Sequence, residues 1–173
     1  MFKQLLPALL CFAALISSAA DRVYISVNVR GDDAAKIQVL EKSANVISKA
    51  KSTGLANKQP GRAQGFSIPL DADGKAAMTL KLKITGKGVF DIAGFGFSGG
   101  KPMWVECVKL VLDGKTTVPA GECKAIPFAK FRRLSGAKSI PLDGSRELAI
   151  EAEFVKCAAG RAAELDAQTK QKK

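Results

Sequence analysis

The sequence predicts a mainly β fold: an antiparallel β-sandwich of seven or eight strands, with one α-helix at about residues 33–52 packed against a sheet. Three observations lead there. Several segments alternate strictly between apolar and polar residues, Gly- and Asp-containing turn signals separate them, and one segment spaces its apolar residues as a helix does. A short sequence also occurs twice, as Ser67-Ile68-Pro69-Leu70-Asp71 and Ser139-Ile140-Pro141-Leu142-Asp143, each followed by a Gly-containing turn and an alternating strand.

In the strands after the two copies, Met78, Leu80, Leu82 and Ile84 share one face, and Leu148, Ile150, Ala152 and Phe154 share another. The outward residues differ in sign, Lys81 and Lys83 against Glu151 and Glu153. If the strands are neighbours, such pairs stabilise the ladder by about 0.2–1 kcal/mol each. Internal duplication of 67–84 and 139–154 accounts for the repeat, and so does recurrent turn chemistry. Val111-Leu112-Asp113-Gly114 repeats the turn without the Ser-Ile-Pro prefix.

The first element is Arg22 to Arg30, where Val23, Ile25, Val27 and Val29 alternate with polar residues as in a half-buried strand. Asp32 or Asp33 then caps the expected helix, which carries Ile37, Leu40, Ala44 and Ile47 on one stripe and stops at Gly54. Leu55 to Gln64 reads as a polar loop. Phe66–Leu70 and Ala76–Ile84 form a hairpin across Asp71-Ala72-Asp73-Gly74, and Gly86-Lys87-Gly88 turns the chain again, setting Ile84 opposite Phe90. The glycines around Phe95 and Phe97 signal a bulge or a close backbone approach. Residues 103–112 and 117–124 read as a hairpin about Gly114-Lys115-Thr116, followed by the second repeat.

Met1 to Ala20 has the form of a secretory signal, with Lys3 before an apolar run and small residues at its exit. The run is too short to span a bilayer, and no later segment is long and apolar enough for a transmembrane helix. A secreted or periplasmic location follows, with one domain at 21–157 and a basic tail at 158–173, frayed helix or disordered. The net charge of +11 falls by one on processing, because Lys3 is the only charged residue of the first twenty. Such a chain suits anionic partners: an acidic polysaccharide, an anionic surface or an envelope protein.

Of the cysteines, Cys107, Cys123 and Cys157 follow the signal segment. In an oxidising compartment two of them pair. A hairpin register with Asp113 opposite Thr117 sets Cys107 opposite Cys123, the disulfide expected here, and leaves Cys157 as a free thiol, buried or linking a dimer. Cys107 with Cys157 is the rival pairing.

The chain contains no histidine. That excludes Ser-His-Asp and Cys-His catalysis and every imidazole metal site. No cofactor motif is present, and no segment matches a nucleic-acid-binding module. Asp71 and Asp73 could aim at one calcium ion, although turn chemistry explains them equally and no other metal site is indicated. Lys130, Phe131, Arg132, Arg133 and Lys138 form the candidate ligand-binding segment, because arginine grips carboxylate or phosphate bidentately and phenylalanine can stack on a ring. The expected function is an exported, non-catalytic binding or accessory module for an anionic polymer or envelope protein. The alternatives are a structural or assembly subunit of the envelope and a small enzyme using carboxylates or Cys157.

Overall fold

A computed structural model describes residues 21–53, 59–98, 103–118, 125–126, 132–133 and 139–171. Ten strands are present among them, eight of four residues or longer, and every pairing is antiparallel. The mainly β expectation holds: the strands form an open, sandwich-like sheet, with a single helix among the described residues.

Strand β1 (Arg22–Arg30) forms as its alternation predicts, with Val23, Ile25, Val27 and Val29 all at 1% exposure or less. Fully burying one such side chain contributes about 1.5–3 kcal/mol. The apolar run from Ile37 to Ile47, by contrast, is two strands, β2 (Lys36–Lys42) and β3 (Ile47–Thr53). The expected helix at 33–52 does not form. Ile37 and Val39 pair with Ile84 and Leu82, and Ile47 with Ser67; β-branched side chains on a pleated surface outweigh the helical spacing, which they satisfy only by coincidence. Asp32 still caps, but it caps a turn: its Oδ1 accepts from the Ala34 N–H at 2.8 Å.

Strand β4 (Gly61–Pro69) takes in residues 61–64, which the sequence had assigned to a loop. The turn at Asp71–Gly74 forms as expected, yet it does not close a hairpin. Strand β1 lies between β4 and the next strand, β5 (Lys75–Ser98). That strand runs unbroken through Gly86 and Gly88, so the expected hairpin there is absent. Next come β6 (Val105–Leu112), β7 (Lys115–Val118), β8 (Ala125–Ile126), β9 (Arg132–Arg133), β10 (Ile140–Lys156) and the helix α1 (Ala159–Gln171). The turn between β6 and β7 is the two-residue Asp113-Gly114, both at positive φ, with Leu112 opposite Lys115. Asp113 therefore does not face Thr117.

The sheet order is β3-β4-β1-β5-β10-β6-β7, with β2 added to β5. On one flank β5 keeps β10 as partner from Lys75 to Phe90; on the other it pairs with β2 through residues 80–85 and with β1 from Val89 onward. This change of partner, between residues 85 and 89 of β5, is termed the crease. Gly86 lies opposite Gly144, and β1 gives way to the turn before β2 at Gly31. A Cβ on Gly88, whose φ is +116°, would collide with the Arg30 carbonyl, so the crease requires glycine there. The Asp32 carboxylate fastens the crease by accepting from the Lys87 N–H at 3.0 Å. Beyond it the two halves pack onto one core: Phe95 of one half meets Phe154 of the other at 5.4 Å between ring centroids, tilted by 56°.

Candidate functional site

Of the sequence-predicted ligand segment, Lys130, Phe131 and Lys138 lie outside the described residues. Arg132 and Arg133 form β9, which pairs with Phe95 and Gly94 of β5. Strand β8 pairs with Val105 and Glu106 of β6. Residues 119–138 carry Lys124, Lys130, Arg132, Arg133 and Lys138 against one acid, Glu122.

The described framework has much less unmatched charge on its outer face. Lys81 lies 3.3 Å from Glu147 and 4.0 Å from Glu41, and Lys109 lies 3.0 Å from Glu151 and 3.2 Å from Glu153. The Lys109 ammonium is held above its ordinary pKa, first by its hydrogen bonds to Glu151 and Glu153. Neighbouring strands thus pair opposite charges, but not the expected ones: Glu151 and Glu153 lie opposite Thr79 and Ala77 and are engaged by Lys109, while Lys81 takes Glu147. Asp71, offered as a calcium ligand, accepts instead from the backbone of its own turn, with Oδ1 at 3.0 Å from the Asp73 N–H and 2.8 Å from the Lys75 N–H. No group of three or more metal-ligating side chains occurs among the described residues.

Cys157 is a free thiol, 8% exposed at the end of β10. Burial, with Glu106 beside it, pushes its pKa up to about 11, so it stays protonated at neutral pH and is a poor nucleophile. Cys107 is buried opposite Phe154 and does not pair with Cys157. Its expected partner Cys123 lies outside the described residues. The tail forms α1, held to the sheet by the Trp104 Nε1–H donating to Asp166 at 2.8 Å and by Arg161 beside Glu106. No described helix is long and apolar enough to cross a membrane.

The feature the sequence reading missed lies near the crease. Along β4, the residues opposite Val23, Ile25, Val27 and Val29 are Ile68, Phe66, Gln64 and Arg62, so the core-facing row turns from apolar to polar. There the sandwich opens into a cleft of about 550 Å³, lined by Ala35 to Val39 of the β2 side, Ser48 of β3 and Arg62 to Gln64 of β4. Gln64 is 2% exposed and its Oε1 accepts no hydrogen bond. An acceptor left unpaired in this way costs about 1–3 kcal/mol. Arg62 is pinned by its Nε–H, which donates to the Asp33 carbonyl at 2.9 Å. The signal was present in the sequence: the period of two in Ile68 and Phe66 extends back to Gln64 and Arg62.

No family model, curated protein or solved structure matches this chain.

Proposed function

We propose that this protein is an exported, non-catalytic binding module for an anionic polymer, with the basic segment around β9 as its contact surface. The placement of β9 supports this reading. Arg132 and Arg133 are fixed by backbone pairing to the end of β5, in the middle of a segment whose cations outnumber its acids five to one. Pairing to a sheet edge lowers the entropy lost when arginines are ordered against sulfate or carboxylate groups. The non-catalytic part is supported by the lack of histidine, by a thiol protonated at neutral pH, and by outer-face carboxylates already engaged by lysines.

The test is retention on immobilised dextran sulfate, with neutral dextran as the control, eluted by rising salt. The wild-type chain is expected to bind dextran sulfate alone and to leave at a salt concentration that the Arg132→Gln, Arg133→Gln double variant does not reach. Equal elution of the two proteins, or retention on neutral dextran, would show the reading to be wrong.

A further inference from the structure

We infer that the cleft between β2 and β4 is a binding site for a small aliphatic organic anion that carries a hydrogen-bond donor. Its charged lining residues are Lys36 and Arg62, both cationic, and no carboxylate of the described residues lines it. Ala35, Ile37, Val39 and Ala63 supply an apolar wall, and the volume of about 550 Å³ is that of a small-ligand pocket. Gln64 fixes the remaining requirement. Its amide is buried in the wall with an oxygen that receives no donor, so the bound molecule must bring one. A hydroxy acid with a short aliphatic chain meets all three conditions: carboxylate toward Arg62 and Lys36, chain along Ile37 and Val39, hydroxyl toward Gln64.

This site is independent of the polymer-binding proposal, because it is lined by residues 35–39, 48 and 62–64, whereas β9 pairs with Gly94 and Phe95 near the C-terminal end of β5. The failure of either leaves the other standing.

The experiment is an amide-resolved NMR titration of the processed protein with 3-hydroxyoctanoate, and with octanoate and 1,3-octanediol as probes lacking the donor and the charge. Saturable shifts confined to residues 35–39 and 62–64 are expected, with affinity falling severalfold for octanoate and further for the diol. Arg62→Gln is expected to weaken binding about tenfold, the loss of one charge-assisted contact. Because Arg62 also braces Asp33, two more variants keep the test decisive. Lys36→Gln, at the exposed rim, is expected to weaken binding, and Val39→Trp to abolish it by filling the cleft. Shifts that do not saturate, that scatter over the surface, or that persist in Val39→Trp would overturn the inference, as would equal affinity for the three probes.

Discussion

The two flanks of β5 differ in kind. Against β10 it pairs without interruption, from Lys75 opposite Val155 to Phe90 opposite Ile140, and the alternating rows Met78 to Ile84 and Leu148 to Phe154 along that flank are buried. Against its other neighbours it changes partner at the crease, and the sandwich opens beside that change into a cleft with a polar core-facing row. Continuous pairing supplies the frame; the break in pairing supplies a place where polar side chains can face inward.

The sharpest way to break this comparison is to fill the crease. Gly88→Val is expected to destabilise the fold by more than about 4 kcal/mol, since the added side chain collides with the Arg30 carbonyl at positive φ. Urea denaturation measures it, and a loss under 1 kcal/mol would mean the crease is not held by that contact. On the continuous flank, Phe154→Ala leaves a cavity against Phe95 and is expected to cost about 3–5 kcal/mol by the same measurement.

Smaller effects separate the flanks further. Gln64→Leu removes an unpartnered buried acceptor and is expected to raise stability by about 1 kcal/mol, visible as a higher urea midpoint. On the outer face, Lys81→Ala should cost only about 0.2–1 kcal/mol, because its pairs with Glu147 and Glu41 are exposed. Asp32→Asn gives a difference seen best against pH. Hydrogen bonds from the Lys87 and Ala34 N–H groups hold the Asp32 carboxyl below its ordinary 3.8. A lowered folded-state pKa contributes stability that is present above 3.8 and lost as pH falls through the lowered value. Wild type should therefore exceed the variant in thermal midpoint at neutral pH, and the gap should close in acid.

The buried faces of the continuous flank were legible in the sequence, because strict alternation in Met78–Ile84 and Leu148–Phe154 admits only one such face each, while their pairing with one another stayed conditional. The crease was not. Gly86-Lys87-Gly88 satisfies the local chemistry of a hairpin, and only the packing of Arg30 and Asp32 against it shows that the strand continues. The recurring Ser-Ile-Pro-Leu-Asp shows the same limit. Its first copy ends β4 and leads into a turn closed by the Asp71 N–H donating to the Lys75 carbonyl; its second runs inside β10 beside the crease, with Leu142 opposite Gly88. Identical residues meet opposite geometries because their partners differ. The cleft was obscured for a related reason, since Arg62 and Gln64 lie in a polar stretch whose strand character depends on pairing with β1.

Amide hydrogen exchange, resolved along the chain, tests this division most directly. The account predicts that residues 76–84 and 148–154 exchange only through global unfolding, whereas residues 36–42 of β2, on the interrupted flank, exchange through local opening at a distinctly lower free energy. Protection in β2 equal to that of the β5–β10 ladder would contradict it, and would mean that both flanks of β5 belong to one rigid frame.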